Sequence, residues 1–324
     1  MLDIDKNSLT KLLIEKKPKL VLVSCPSGIL VKCMNFMNSF AKEHGFKVVF
    51  SGEPCYGICD LGEENVRLLG ADLSIHIGHS ASFEKIGKFT YLIEAFDDID
   101  LIPVLEKAIP KLKGYKRLGL CTIGPHVHKL DSAKAFLFSK GFEVFIGDEN
   151  PPLKRGQIFG CNFSTCISIY SKVDAFVFIG SSRFHASGLY NSMEKPVYML
   201  DPYTLEVLSI EKEALRIKKH QILNFYRAMD AKDLGIIIGA KEGQFKNEEA
   251  FYLYNELNRI GKNVFLVIMR EITNDKLNEF QNIEAFIETA CPRISDDYFD
   301  KPVLSLDYGY MLLEQFKKSR TVKQ

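Results

Sequence analysis

Two cysteines of this 324-residue sequence have neighbours that favour chemical reactivity. Cys59 precedes "DLGE", in which Asp60 and Glu63 have the spacing of a helix-starting capping box. Cys161, in "GCNFSTC", precedes Asn162, a residue type that often caps the N-terminus of a helix. The partial positive charge of a helix N-terminus favours thiolate, the form of cysteine that binds metal ions and iron–sulfur clusters. Both cysteines are therefore candidate ligands.

The other cysteines leave an alternative open. Three lie in or beside apolar runs, where cysteine usually acts as a small buried hydrophobic residue: Cys25, Cys33 and Cys121. Cys55 and Cys166 are close in sequence to Cys59 and Cys161, and together these residues could form a four-cysteine zinc site. Neither pair has the C-x2-C spacing of common structural zinc motifs. The alternative function is thus a non-catalytic α/β scaffold or helper subunit with a zinc site or inert thiols.

Nine apolar, strand-like runs must position these cysteines. They fall into three sets that alternate with helix-length segments, at residues 19–29, 117–128 and 233–244, then 46–54, 142–152 and 262–271, then 71–80, 173–182 and 283–292. The order recurs roughly every 100–115 residues, which indicates an internal triplication. We predict an α/β fold of three similar domains around a central site, each a small, mostly parallel sheet flanked by helices: 1–108, 109–204 and 205–324. The stretch 205–231, without Gly or Pro, is predicted to be largely helical.

The same alignment adds a third candidate cysteine. Cys59 and Cys161 follow the second run of repeats 1 and 2, and Cys291 ends the third run of repeat 3. Ligands of open α/β sheets collect outside the carboxyl ends of the strands. If the repeats pack around a pseudo-threefold centre, the three thiols converge.

Six short motifs, in this order and spacing, resemble one known family along nearly the whole chain. They are "YGICD" at 56–60, "HIGHS" at 76–80, "FGCN" at 159–162, "FHASGL" at 184–189, "IIIGAKEGQF" at 236–245 and "ACPRISDD" at 290–297. The family is the archaeal form of the first enzyme of diphthamide biosynthesis, 2-(3-amino-3-carboxypropyl)histidine synthase. The resemblance implies a transferase whose three α/β domains each give one cysteine, here Cys59, Cys161 and Cys291, to one central [4Fe–4S] cluster. Cys55 and Cys166 then lie outside the ligand set.

The resemblance also implies the reaction. S-adenosylmethionine is cleaved to a 3-amino-3-carboxypropyl radical, which adds to a histidine of translation elongation factor 2 and leaves methylthioadenosine. Three protein thiolates on a four-iron cluster leave one iron open to the substrate. The C-x3-C-x2-C run of ordinary radical S-adenosylmethionine enzymes does not occur in this sequence.

Residues at the same strand ends are candidates for contacts with S-adenosylmethionine. They are Gly78, His79 and Ser80 in "GHS", Arg183 and His185 in "SSRFHASG", and Gly239, Lys241 and Gln244 in "GAKEGQ". An arginine can hold a carboxylate through two hydrogen bonds. A surface salt bridge at Arg183 and an ordinary turn at His79 remain alternatives. Arg293 could steady the negative charge of the cluster, whereas the "HVH" turn at 126–128 is more typical of a polar turn than of a metal site.

Composition limits the remaining function classes. The net charge of +1 gives no general attraction to nucleic acid or membrane surfaces. No apolar run is long enough to span a membrane, the N-terminus does not resemble a secretory signal, and eight cysteines fit a reducing, cytoplasmic compartment. In eukaryotic relatives two paralogues pair and one is mainly a helper. The presence of all three cysteines here predicts a self-sufficient homodimer that acts on elongation factor 2 and receives electrons from an unidentified donor.

Overall fold

Three parallel sheets follow one another along the chain. The computed structural model describes residues 2–321 and divides into two compact units, one up to residue 211 and one from residue 212 onward. The first unit contains two of the larger sheets and the second unit contains the third. Among the helices of residues 2–321, none is both long and apolar enough to cross a bilayer.

The first part of the first unit surrounds a five-stranded sheet of order β3-β2-β4-β6-β5, in which only β5 runs antiparallel to its neighbour. A separate antiparallel pair joins β1 to β7. The elements are β1 (Leu2–Ile4), α1 (Lys6–Lys16), β2 (Leu20–Ser24), α2 (Leu30–His44), β3 (Lys47–Phe50), α3 (Glu63–Leu69), β4 (Leu73–Ile77), β5 (Lys85–Ile86), β6 (Thr90–Ile93) and β7 (Ala95–Asp97).

The second part surrounds a sheet of order β12-β11-β10-β8-β9, in which only β12 is antiparallel. Its elements are α4 (Ile102–Leu112), β8 (Arg117–Thr122), α5 (Leu130–Ser139), β9 (Glu143–Phe145), α6 (Ser164–Ile167), β10 (Ala175–Ile179), α7 (Arg183–Met193), β11 (Val197–Asp201) and β12 (Glu206–Ser209). The prediction of helix from residue 205 is wrong for β12, because its backbone pairs with β11.

The second unit has a wholly parallel sheet of order β14-β13-β15-β16. Its elements are α8 (Glu211–Met229), β13 (Asp233–Gly239), α9 (Asn247–Arg259), β14 (Asn263–Met269), α10 (Asn274–Glu279), β15 (Ala285–Glu288), β16 (Val303–Leu304) and α11 (Leu306–Thr321). All nine predicted runs contain a strand, and the predicted α/β class with mostly parallel sheets is confirmed. In every large sheet the strand of the first run lies between those of the second and third runs.

Each of the three large sheets has one carboxylate that binds the backbone at the start of its central strand. Asp72, Asp174 and Glu284 each stand just before the strand of the third run. One oxygen of each accepts the N–H groups of residues 19 and 20, 116 and 117, and 232 and 233 respectively, at 2.5–3.3 Å. These backbone hydrogen bonds lower the pKa of Asp72 and Glu284, and the pKa of Asp174 is lowered first by a side-chain hydrogen bond with Arg117 and then by the backbone. The backbone hydrogen bonds tie the start of the central strand to its neighbour.

The buried cores follow the sheets. One cluster of buried side chains draws on residues 4–95, a second on residues 101–207, and two further clusters on residues 228–313. Residue 108, predicted to end the first repeat, lies inside α4, and Val104, Leu105 and Leu112 of that helix are buried in the second cluster. The packing therefore places α4 with the second sheet.

Candidate functional site

The loop that carries Cys59 is closed by the next residue. Oδ2 of Asp60 accepts the N–H groups of Tyr56 and Gly57 at 2.7 and 3.2 Å, and Sγ of Cys59 lies 4.0 Å from the same oxygen. The predicted capping box at Asp60 is wrong. Its carboxylate accepts N–H groups that precede it in the chain, and α3 begins only at residue 63, after Gly62 as its N-cap. Cys59 thus lies in a turn stabilised by a carboxylate.

Glu63, the other half of the predicted capping box, faces away from that turn. Its carboxylate is buried, and Oε1 accepts the N–H groups of Phe89 and Thr90 at 2.7 and 3.2 Å and the hydroxyl of Thr90 at 3.1 Å. Glu63 therefore ties α3 to β6.

Cys55 and two histidines converge beside this loop. Sγ of Cys55 lies 3.6 Å from Nε2 of His76 and 3.9 Å from Nδ1 of His79, and those two nitrogens are 2.7 Å apart. His76 occupies the fourth position of β4 and is fully buried, whereas His79 in the following loop is partly buried. Burial lowers the pKa of His76 to about 4 and that of His79 to about 3, so both rings are neutral at physiological pH.

The predicted residues Gly78 and Ser80 shape the same loop. Gly78 has φ +98°, and a Cβ there would lie 2.7 Å from the side chain of Ile29, so the position requires glycine. Ser80 is buried, and its backbone oxygen accepts a hydrogen bond from Nε2 of Gln157 at 2.8 Å. The "GHS" segment is therefore fixed by contacts to the first and second sheets' loops.

Cys161 is exposed at the tip of a tight turn. Phe159 and Asn162 exchange backbone hydrogen bonds around it, at 3.0 and 3.3 Å. Oδ1 of Asn162 accepts the N–H of Ser164 at 3.0 Å, which supports the start of α6, although that helix has only four residues. At Gly160 a Cβ would lie 1.8 Å from the ring of Phe184, so the turn requires glycine there.

Arg183 and His185 lie on the first turn of α7. Ser182 caps this helix by accepting the N–H of His185, and its hydroxyl also lies 2.7 Å from Nδ1 of that ring. Burial lowers the pKa of His185 to about 4, and His185 in turn contributes to the lowered pKa of His79. His79 and His185 are thus close enough to interact electrostatically. Arg183 is exposed, with its guanidinium 3.8 Å from Glu206.

In the second unit, the "GAKEGQ" segment follows β13. A Cβ on Gly239 would lie 2.7 Å from that of Ala290, so glycine allows this segment to approach the loop of Cys291. Lys241 is buried, and its Nζ lies 2.7 Å from Oε1 of Glu271. The backbone N–H of Gln244 donates to the carbonyl of Lys241 at 2.9 Å. Gly239 therefore lies beside the residue that precedes Cys291, and Lys241 and Gln244 belong to the same segment.

Cys291 is partly buried in a turn directly after β15. Oε2 of the buried Glu288 accepts the N–H groups of Ala290 and Cys291 at 2.8 and 3.0 Å. Burial raises the pKa of Glu288 to about 8. Arg293, predicted to steady cluster charge, forms an exposed ion pair with Asp297 at 3.1 Å.

Exposure separates the eight cysteines into two groups. Five are buried, and only the three predicted ligands reach the surface: Cys59, Cys161 and Cys291. Burial and a hydrogen bond with Cys166 raise the pKa of the Cys121 thiol. Cys166 therefore belongs to the core of the second sheet, which argues against the four-cysteine zinc alternative.

Sequence reasoning missed two contributors. His76 was not distinguished from the apolar residues of its strand, and Glu288 was not singled out. The sequence did contain a signal: His76 and Glu288 each stand four positions after the carboxylate that ties the strands of their sheet, Asp72 and Glu284 respectively. His126 of the "HVH" turn is fully buried, with its ring 6.0 Å from that of Tyr203.

A family model of diphthamide synthesis proteins matches residues 25–322. The chain belongs to the diphthamide synthesis protein family. A family member from Pyrococcus horikoshii, 2-(3-amino-3-carboxypropyl)histidine synthase, is 34% identical over 310 residues, covering 94% of this chain and 88% of its own. Subunit 1 of the synthase of Schizosaccharomyces pombe is 30% identical over 304 residues, covering 90% and 69%.

The family resemblance extends to three dimensions. The crystal structure of Dph2 from Pyrococcus horikoshii with a 4Fe-4S cluster matches this structure with a TM-score of 0.87 and 32% identity. The match covers 97% of this chain and 92% of that one. Among diphthamide synthesis proteins, one with nearly the same fold has thus been crystallised with an iron–sulfur cluster.

Proposed function

We propose that this chain is a 2-(3-amino-3-carboxypropyl)histidine synthase, which transfers the 3-amino-3-carboxypropyl group of S-adenosylmethionine to a histidine of translation elongation factor 2. The observation that carries the proposal is the exposure of the cysteines. The three that match the family motifs are the three that reach the surface, each in a loop after a strand. The names of the relatives support the same activity.

Cys59, Cys161 and Cys291 together hold one [4Fe–4S] cluster in this proposal. The donor set fits, because these are the three cysteines that reach the surface and iron–sulfur clusters bind cysteine thiolates. Three ligands leave one iron open. When bound, the reduced cluster supplies the electron that cleaves the bond from sulfur to the methionine γ-carbon. The chain's own task is to orient the sulfonium so that this bond breaks rather than the bond to the adenosine carbon.

The internal triplication is part of the same proposal. Its support is the shared strand order of the three large sheets and the three equivalent carboxylates Asp72, Asp174 and Glu284. We place the repeats at about the predicted ranges 1–108, 109–204 and 205–324. Because α4 is buried in the second cluster, we propose a first join nearer residue 100 than residue 108.

The residues proposed to contact S-adenosylmethionine lie in both units of the chain. Arg183 is exposed and so can offer its guanidinium to the methionine carboxylate. In the first unit Gly78, His79 and Ser80 are consecutive, and His185 acts electrostatically on His79. In the second unit Gly239 lies beside Ala290, and Lys241 and Gln244 follow it in the same segment. Because the ammonium group of Lys241 pairs with Glu271, we assign that lysine to holding its loop.

Partners follow from the reaction. We propose elongation factor 2 as the protein substrate, a homodimer as the working form, and an electron donor that the sequence does not identify. Eight cysteines in 324 residues are too few for a disulfide scaffold, which supports the proposal of a reducing, cytoplasmic compartment.

The test is an anaerobic reaction with dithionite, S-adenosylmethionine and elongation factor 2, followed by chromatography of the nucleoside products. We expect methylthioadenosine in the nucleoside fraction and an aminocarboxypropyl adduct on one histidine by mass spectrometry. Deoxyadenosine as the dominant product would contradict the proposed regiochemistry. Absence of cleavage in protein that carries its full cluster would favour the helper-subunit alternative.

The ligand set is tested by single Ala substitutions of Cys59, Cys161 and Cys291. Each is expected to lose most of its iron and activity, because a four-iron cluster with two protein thiolates is poorly held. Cys166→Ala is the matched control, since that thiol is buried in the second core. Full iron content and activity in Cys291→Ala would refute the assignment of that residue.

A further inference from the structure

Cys55, His76 and His79 form a group of metal-ligand type that the proposed cluster does not use. Their ligand atoms all lie within 4.8 Å of one another, and no other group of three His, Cys, Asp or Glu side chains between residues 2 and 321 has this arrangement. The set combines one thiol with two imidazoles, and this mixture of soft and borderline donors is typical of zinc.

The orientation of the two rings is fixed from behind. Nδ1 of His76 lies 3.3 Å from both the carbonyl oxygen of Asp60 and the hydroxyl oxygen of Ser24, and donation from Nδ1 leaves Nε2 as the acceptor nitrogen, 2.7 Å from Nδ1 of His79. His79 hydrogen-bonds with the backbone of Tyr56. Metal-binding histidines usually donate their other ring N–H to a carbonyl or carboxylate in this way. The loop 55–60 thus supplies both a ligand and the groups that orient the other two.

The distances are close to those of a tetrahedral zinc site. Ligand atoms on one zinc ion stand roughly 3.3–3.6 Å apart. The 3.6 Å from Sγ of Cys55 to Nε2 of His76 matches this spacing and the 3.9 Å to Nδ1 of His79 is slightly longer, whereas the 2.7 Å between the histidine nitrogens is that of hydrogen-bonded rings. Zinc binding therefore requires the two histidine nitrogens to move apart, and His79, which sits on a loop and is the one ligand that is not fully buried, is the residue placed to move.

We propose that Cys55, His76 and His79 bind one zinc ion, separate from the iron–sulfur cluster, with a fourth coordination position left open. The ion joins the loop of Cys59 to the end of β4. Its role is to hold that loop in place, and any effect of His79 on cofactor binding is then indirect, through the shape of the "GHS" segment. The proposal does not depend on the proposed reaction, because zinc retention is measured independently of turnover.

The experiment adds zinc sulfate to the anaerobically purified, cluster-containing protein, removes loosely held metal with a weak chelator, and measures zinc and iron by elemental analysis. We expect about one zinc per chain, and a zinc K-edge absorption spectrum with one sulfur and two imidazole ligands. Cys55→Ala and His79→Ala should lower zinc affinity at least ~10-fold. His79→Ala changes a loop residue and is expected to fold, which its thermal unfolding curve checks.

Two control variants locate the ion. Cys166→Ala removes an equally buried thiol and should retain zinc. Loss of zinc from this variant would overturn the proposal in favour of the four-cysteine site. Cys59→Ala should also retain zinc, because that thiol is not a ligand in this proposal. Zinc that disappears with Cys59, zinc that persists undiminished in His79→Ala, or failure of the unaltered protein to retain zinc would each overturn the proposal.

Discussion

Glu288 determines the shape of the turn that carries Cys291. A single buried carboxylate oxygen accepts two consecutive backbone N–H groups, and one of them belongs to the cysteine itself. Both N–H groups therefore point toward a buried oxygen. Glu288 is therefore a positioning residue, because it acts on Cys291 through the backbone.

We predict that Glu288→Ala will reduce iron retention, whereas Glu288→Gln will largely preserve it. The alanine variant leaves two inward-facing N–H groups without an acceptor, at a cost of about 1–3 kcal/mol each, whereas glutamine still offers an oxygen. The measurements are iron per chain after anaerobic desalting and hydrogen exchange of the Ala290 and Cys291 amides. Wild-type protection and iron content in Glu288→Ala would show that the turn holds itself without this carboxylate.

In each of the three large sheets, a large side chain on one strand is paired with a small residue on the neighbouring strand. Gly119 is paired with Phe176 in the second sheet, and Gly235 with Phe286 in the third. At both glycines an added Cβ would lie within 2.6 Å of the partner ring. The equivalent pair in the first sheet is Leu22 with Ser74, where the larger side chain is on the other strand. Each sheet thus combines one large and one small residue at this pair, although the strand that carries the large residue differs.

A double-mutant cycle in the third sheet tests this compensation. We expect Gly235→Ala to destabilise the protein by about 1–3 kcal/mol, because the new Cβ overlaps the ring of Phe286. In combination with Phe286→Leu the loss should be smaller than the sum of the two single losses, with a coupling of at least ~0.5 kcal/mol in urea unfolding. Gly114→Ala, at a position with open space, is the control. Strict additivity would contradict the steric explanation.

Acid should weaken the strand tie in the second sheet. A side-chain hydrogen bond with Arg117, and then the backbone N–H of that residue, lower the pKa of Asp174 from 3.8 to about 2. A carboxyl group whose folded pKa is depressed contributes stability above its unfolded pKa and loses it as pH falls toward the folded value. The stability difference between wild type and Asp174→Ala should therefore shrink as pH falls from about 4 to about 2.

Chemical unfolding of both proteins over that pH window measures the effect. Because Asp174 is at the surface, added salt should also reduce the difference. A difference that stays constant across the window would mean that the carboxylate charge contributes nothing to the tie.

At the scale of the whole molecule, each compact unit has its own buried core. The two clusters of the second unit draw only on residues between 228 and 313, and they lie on the two faces of one parallel sheet. A domain of about 100 residues with its own core generally folds alone. The second unit has that size and organisation.

We therefore predict that a fragment of residues 212–324 folds independently. Circular dichroism should show helix and parallel sheet, amide resonances should be dispersed, and urea unfolding should be a single cooperative transition. The full chain is the comparison for spectral features of the second unit. A fragment with native-like secondary structure but collapsed, undispersed spectra would show that this core needs the first unit.

The sequence by itself determined the α/β class and the nine strands, and it singled out Cys59, Cys161 and Cys291 as candidate ligands. Strand runs are readable because buried parallel strands are continuous and apolar, and the family motifs around Cys59, Cys161 and Cys291 are local in sequence. Helix starts were less accurate. Asp60 and Glu63 have a capping spacing, but their carboxylates bind the Tyr56 turn and β6, and such tertiary partners are not encoded in spacing.

Only the tertiary structure decided which side chains meet across distant segments. Cys55, His76 and His79 are separated by up to 24 residues, and His76 lies within an apolar strand where its pattern is that of core. Glu288 is likewise hidden in a strand and becomes recognisable only when the turn after β15 folds back on its carboxylate. The physical reason is that a strand's periodicity reports which face is buried, whereas the partners of a buried polar group depend on the neighbouring loops that cover it.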